Sequence, residues 1–204
     1  MESTLTRPKA LASAAAAPAG IAREEFEVIV RTHQQRIYRV LLGLLRDPEA
    51  ADTLTQECFL RAYRNRKTFR GEASVGTWLV RIAVNLARDH GRSRKIAFWR
   101  RLLGEAKPEE AASEADQMAD PRASPERTLA AREELQAVWL AVDTLSPQQR
   151  AAFVLRFVEE MTLEEVAAAM ALEVGTVKAH LARAVGAVRK RVKESRKDAR
   201  PSNR

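Results

Sequence analysis

The stretch Val174–Val192, VGTVKAHLARAVGAVRKRV, is compatible with one kind of regular structure. Val177, Leu181, Ala184, Val185, Val188 and Val192 recur at intervals that an α-helix gathers on a single face. A strand would scatter them over both faces. The opposite face is basic. Just upstream, TLEEVAAAMALEVGTVKAHLARA spaces its small and apolar residues as a helix-turn-helix requires. Ala167 falls where two helices cross closely, Ala171 lies four residues later in the turn, and Val177 six beyond that anchors the second helix. The turn position favours left-handed backbone, where glycine is at ease and alanine costs on the order of 1 kcal/mol.

The same periodicity runs through the rest of the chain. Ile37, Val40, Leu41, Leu44 and Leu45 form one stripe, and Leu79, Ile82, Ala83 and Leu86 another. Between them TLTQECFLRAYRNRKTF aligns Leu54, Cys58 and Ala62 beside Phe59 and Tyr63. Further on, Leu135, Val138, Trp139 and Val142 share a face. SPQQ then opens a helix with Ser146 as N-cap, Pro147 in the first turn and Gln149 closing a capping box; TLEE repeats the device with Thr162 and Glu165. No segment alternates with the period of two that a half-buried strand needs, and Ala, Leu, Glu and Arg dominate. The expected fold is all-α, in two small helical domains.

Charge marks the boundary between them. Of the 204 residues 30% are charged, with a net charge of +8. Leu86–Arg101 carries Arg88, Arg92, Arg94, Lys95, Arg100 and Arg101 against Asp89, and the segment from Lys178 onward carries ten bases against Glu194 and Asp198. Glu105–Glu126 is acidic, with seven carboxylates against Lys107 and Arg122, three prolines and almost no large apolar residue. It cannot bury enough surface to fold alone and reads as a flexible linker. The expected organisation is an Ala-rich disordered arm over 1–22, a first domain over 23–97, the acidic linker over 98–128, a second domain over 129–194 and a basic tail over 195–204.

Several classes of function are disfavoured. The single Cys58 allows no intramolecular disulfide and no multi-cysteine zinc site, which suits a reducing cytoplasm. Arg7 and Lys9 before an alanine run imitate a signal peptide, but alanine is too weakly apolar for its core, and no apolar run approaches the roughly 20 residues of a membrane span. There is no glycine-rich phosphate loop, no nucleophile beside a base motif and no HExxH or paired-carboxylate signature, so no catalytic residue, metal or cofactor is expected. Glu159, Glu160, Glu164 and Glu165 lie close in sequence, but Glu164 and Glu165 fall in a helix's first turn, where the macrodipole accounts for them. His180 is not read as a metal ligand, since His33 and His90 are distant in sequence and no cysteine joins it.

A basic chain with this motif points to nucleic acid. The exposed face of the second helix would present Thr176, Lys178, His180 and Arg183, with Arg189 and Lys190 further along. Its N-terminal half can reach base edges and its later turns phosphates. A merely solvated basic face is the bland alternative; the paired caps, the turn spacing and the basic tail weigh against it.

This second half is similar both to region 4 of bacterial sigma factors and to the DNA-binding domain of LuxR-type regulators, which often reads TVKxHL. A regulator of that type would carry an α/β receiver upstream. Here the first half instead reads LTQECFLRAYRNRKTFRGEASVGTWLVRIAVNLARDHGRSRK. That resembles region 2 of the extracytoplasmic-function (ECF, group 4) sigma factors of the sigma-70 family, in which a QExF helix precedes FRG and then TWLxRIAxN. The resemblance covers roughly residues 24–97 and 129–193 in the right order. It implies a cytoplasmic, non-enzymatic subunit that directs core RNA polymerase, through its β′ and β subunits, to promoter DNA. A stand-alone LuxR-like helix-turn-helix regulator, binding a palindrome as a dimer, is the rival.

Residue by residue, the resemblance assigns Asp52, Leu54, Gln56 and Glu57 to the surface that docks on a β′ coiled coil, with Thr53 standing where the family usually has Asp. Phe69, Gly71, Trp78, Arg81 and Asn85 would belong to the element that opens the −10 region and holds an unstacked base. Trp78 also fits a core position, and Asn85 is the stronger base contact. Arg88, Arg92, Arg94 and Lys95 would follow the phosphates. Thr176, Lys178, Ala179, His180, Ala182 and Arg183 would face the −35 element, with Arg183 set for a bidentate guanine contact and Ala179 standing where many members have Ser. The acidic linker would thread toward the polymerase cleft, and an inhibitory anti-sigma partner is compatible with two domains on a flexible joint.

Overall fold

The computed structural model describes residues 20–102 and 135–198, without the side chains of 95–102 and 195–198. The arm up to residue 19, the acidic segment from 103 to 134 and residues 199–204 lie outside the described residues. All regular structure within them is helical. The first domain comprises α1 (Arg23–Leu45), α2 (Pro48–Asn65), a 3₁₀ turn (Arg66–Thr68) and α3 (Val75–Leu102). The second comprises α4 (135–143), α5 (Pro147–Phe153) prolonged by a π-turn (Val154–Val158), α6 (Leu163–Met170) and α7 (Val174–Asp198).

Local chemistry sets these ends. α1 stops at Arg46, whose backbone is left-handed (φ 57°), and α2 starts at once, with the Asp47 carboxylate accepting from the Ala50 N–H at 3.0 Å and Pro48 in the first turn. The first core then follows the expected stripes. Ile37, Val40 and Leu41 meet Ala51, Cys58, Phe59 and Ala62, and both groups meet Leu79, Val80, Ala83 and Leu86. Small residues on α2 let the helices approach, and the Cys58 thiol donates to the Leu79 carbonyl at 3.5 Å. Its burial pushes that thiol up to about 12.

Both capping boxes form. Ser146 accepts from the Gln149 N–H at 3.4 Å while the Gln149 side chain accepts from the Ser146 N–H at 3.2 Å. Thr162 and Glu165 do the same at 3.2 and 2.8 Å. Ala171 takes the left-handed turn position (φ 53°, ψ 48°), and the Leu172 N–H closes back on the Ala167 carbonyl at 3.0 Å. Val177, Leu181, Ala184 and Val188 are buried along α7. In the α4 stripe Val142 is buried and Val138 and Trp139 half-buried, but Leu135 is 54% exposed.

Three features go beyond the expected outline. Gly20–Ala22, the end of the arm expected to be disordered, packs on the first domain. Ile21 is buried with its N–H on the Arg66 carbonyl at 2.9 Å, and a Cβ on Gly20 would lie 2.5 Å from the Lys67 Cα. α3 continues to Leu102, past residue 97, so the basic run from Arg88 lies on one continuous helix. Finally, the two domains share a core: Leu155, Met161, Val166, Ala167 and Met170 join the cluster built by α1–α3. A smaller cluster of Ala141, Val142, Leu145, Ala184 and Val188 belongs to the second domain alone.

Candidate nucleic-acid interface

The loop between the 3₁₀ turn and α3 turns back at Gly71, whose φ of 70° suits glycine. Ser74 then caps α3, accepting from the Thr77 N–H at 3.1 Å. This places Phe69 on the loop against Trp78 on the helix, ring centroids 5.2 Å apart and tilted by 50°. Trp78 is half-buried: one part of the ring packs on the core and another faces a cavity of about 350 Å³. Phe69, Gly71, Thr77, Trp78 and Arg81 line that cavity, and Ala168 of α6 closes it from the other domain. An aromatic pair beside a cation is what an unstacked base requires.

The remaining residues expected at the −10 element are not brought into that cavity. Asn85 lines none of the described cavities; its side-chain oxygen accepts from Arg88 at 2.8 Å. Arg94 pairs with Asp47 at 3.5 Å. Arg88 and Arg94, with His90, line a second cavity of about 210 Å³ at the domain seam, across from Arg150 and over a floor of Leu44, Leu45, Val84 and Met170. Arg92 is exposed; Lys95 lies on α3, its side chain outside the described residues.

On α7, Thr176, Lys178, Ala182 and Arg183 are exposed on the face opposite the buried stripe, while Ala179 and His180 are half-buried. His180 turns partly inward, with a buried Nδ1 that has no hydrogen-bond partner. No acidic side chain forms an ion pair with Lys178 or Arg183 among the described residues, so both cations are available to an outside anion.

On α2, Asp52 and Gln56 are exposed and joined at 3.0 Å, and they line a groove between α1 and α2 with Gln34, Gln35, Tyr38 and Phe59. Glu57 is held by Arg61 at 2.6 Å. Leu54, on the stripe with Cys58 and Ala62, is half-buried against the core, and Leu60, one turn and a half further along, is 44% exposed.

The residues that join the domains carry no motif in the sequence. The Glu159 carboxylate, 2% exposed, accepts from Arg36 at 3.0 Å and from Arg39 at 3.3 Å. Arg46 pairs with Asp143 at 3.3 Å and lies 4.6 Å over the Trp139 ring. Arg150 donates to the Leu44 carbonyl at 3.1 Å, its guanidinium pulled below its ordinary pKa by desolvation first and then by Arg46, with Asp143 opposing. Partners more than ninety residues apart leave no local spacing to read.

Comparison with known proteins agrees with both halves. The family model for sigma-70 region 2 matches residues 29–96, and that for sigma-70 region 4 matches residues 135–188. The RNA polymerase sigma-H factor of Pseudomonas aeruginosa is 33% identical over 82% of this chain and 86% of its own length. The RNA polymerase sigma-E factor of Streptomyces antibioticus is 33% identical over 88% and 91%, and the ECF sigma-E factor of Escherichia coli 30% over 83% and 87%. Among solved structures, the sigma factor RpoE of Bartonella quintana, in complex with the anti-sigma factor NepR, shares the fold with a TM-score of 0.62 at 20% identity, covering 83% of this chain and 98% of that one. The chain belongs to the ECF sigma factors of the sigma-70 family, promoter-specific transcription initiation factors. No helix among the described residues is long and apolar enough to cross a membrane.

Proposed function

We propose that the two domains divide promoter recognition between them on the surfaces described above. Region 2, read as residues 23–97, docks on core polymerase through the α2 face of Asp52, Gln56 and Glu57 with Leu54 supporting it from beneath. The Phe69–Trp78–Arg81 cavity takes a base unstacked from the −10 element. Asn85 orients Arg88, and Arg88, Arg92, Arg94 and Lys95 hold the backbone of the displaced strand. Region 4, read as 129–194, lays the N-terminal half of α7 in the major groove of the −35 element, with Thr176, Lys178, Ala179, His180, Ala182 and Arg183 toward the bases. The subunit contributes no chemistry of its own and works in the cytoplasm, where polymerase and DNA are. An anti-sigma partner fits the same reading, since the RpoE structure that shares this fold is a complex with one.

The observation that carries this is the aromatic cavity on region 2 within the same chain as an unpaired cationic recognition face. A stand-alone regulator needs only the second. The test is transcription in vitro with purified bacterial core polymerase over a library of promoter fragments. Discrete start sites appearing only when the protein is added, on fragments sharing −10 and −35 sequences, are expected. Tight binding to duplex DNA without polymerase-dependent transcripts would reject the proposal.

A further inference from the structure

The last residues before α1 cross the turn that aims Phe69. Ile21 is buried, and its N–H donates to the Arg66 carbonyl at 2.9 Å. The same carbonyl takes the Phe69 N–H at 3.4 Å, the bond that closes the 3₁₀ turn Arg66–Thr68. One oxygen therefore ties the approach to α1 to the residue that forms an aromatic wall of the base cavity. A 3₁₀ turn this short has poor hydrogen-bond geometry and holds weakly alone. Gly20 shows how close the crossing is. A Cβ on it would lie 2.5 Å from the Lys67 Cα and 2.7 Å from the Arg66 oxygen itself. Both are backbone atoms, which cannot swing aside as a side-chain end would. The far side of the crossing is pinned as well. Phe26, in the first turn of α1, is buried with its ring edge-on to Tyr63 at 5.2 Å. The Arg66 guanidinium lies 4.1 Å over the Tyr63 ring and donates to the Tyr63 carbonyl at 2.9 Å. The loop that lines the cavity, Thr68 to Ala73, leaves directly from this clamped turn.

We propose that Gly20 and Ile21 are positioning residues for promoter opening, a strap that fixes the 3₁₀ turn and so holds Phe69 against Trp78 before any base arrives. The proposal rests on the reading of that cavity as the −10 site. With the strap seated, capture of an unstacked base needs no ordering of the loop. With the strap displaced, the Arg66 carbonyl loses one of its two donors, the turn loosens, and the base itself must order Phe69. That ordering is subtracted from the affinity for the base.

Gly20→Ala in the full chain tests this, with Gly186→Ala, whose Cβ would meet nothing within 4 Å, as the control. Hydrogen exchange on the free chain reports the turn directly. In Gly20→Ala the Ile21 and Phe69 amides should exchange about tenfold faster, while Ile37 and Leu41 in the core keep their protection. The holoenzyme with bacterial core polymerase reports the cavity. An abasic site, scanned along the non-template −10 strand of a fork fragment, should weaken wild-type binding by roughly tenfold at the captured position, the worth of one base–aromatic stack. In Gly20→Ala that penalty should shrink to about twofold, with affinity for core polymerase unchanged. A merely less stable chain would lose active protein and keep the ratio. Ile21→Asp, which cannot stay buried, should reproduce both effects, and Ile21→Val neither. Unchanged exchange at Phe69, or a penalty that Gly20→Ala leaves at its wild-type size, overturns the positioning role. A wild-type holoenzyme indifferent to the abasic site at every position overturns instead the reading of the cavity, while the exchange at Phe69 still decides whether the strap holds the turn.

Discussion

Ala171 shows at a single residue how motif and geometry meet. The helix-turn-helix spacing asks for a left-handed turn there, and the backbone obliges at φ 53° although the residue is alanine. Ala171→Gly should therefore raise stability by about 0.5–1 kcal/mol, read as a higher urea midpoint at unchanged slope. Cys58 makes a second residue-level case. Desolvation is the largest influence on its thiol, with Arg61 opposing and Glu57 assisting, and the result is a rise from 9.0 to about 12. The folded state thus favours the protonated thiol. That contribution is complete below pH 9 and is lost as pH climbs toward 12. The native chain should resist alkylation at pH 8 yet label at once in urea, and between pH 9 and 12 it should lose stability more steeply than Cys58→Ala. The α2 periodicity already placed Cys58 inward; the size of its shift depends on α3, which supplies the Leu79 carbonyl and the apolar cover.

At the scale of elements, α3 and α7 are both basic and differ in what their cations can do. Arg183 is exposed on the early turns of α7, where a recognition helix meets base edges. Arg92 is exposed late on α3, beyond the turns that line the Phe69–Trp78 cavity. On polymerase, Arg183→Ala should cost roughly 1–3 kcal/mol on the preferred −35 sequence and far less on unrelated DNA. Arg92→Ala should weaken all sequences alike and lower the salt slope by about 0.7–0.9, the value of one phosphate contact. Competition binding at several salt concentrations separates the two; equal losses on both DNAs for Arg183→Ala would demote it to a phosphate contact. These helices were legible because stripes, caps and turn spacing are local. Asn85 was legible as a polar residue of α3, but not its bond to Arg88, which comes from rotamer choice. The stripe tells that Leu54 is apolar, not how deeply its neighbours cover it.

For the whole molecule, the closed arrangement joins what the charge pattern separates. The acidic stretch from Glu105 to Glu126 divides the chain into two basic halves, and from that pattern two independent cores are expected. Region 2 and region 4 are both present, yet part of the second domain's apolar surface is buried in the core of the first, through Leu155, Met161, Val166 and Met170. The helical class, the order of the helices, their caps, the left-handed turn at Ala171 and the family all follow from the amino-acid order, since each depends on residues within a few turns of one another or on motifs read in order. Packing of the helices, by contrast, buries Glu159 between Arg36 and Arg39, makes Gly43 and Gly76 points of close passage, and sets Ala168 in the wall of the cavity of Phe69 and Trp78. Those contacts join residues that lie 40 to 123 positions apart. Such a contact exists only after loop closure and apolar burial have chosen one packing of the two halves, and no periodicity of the chain encodes that choice.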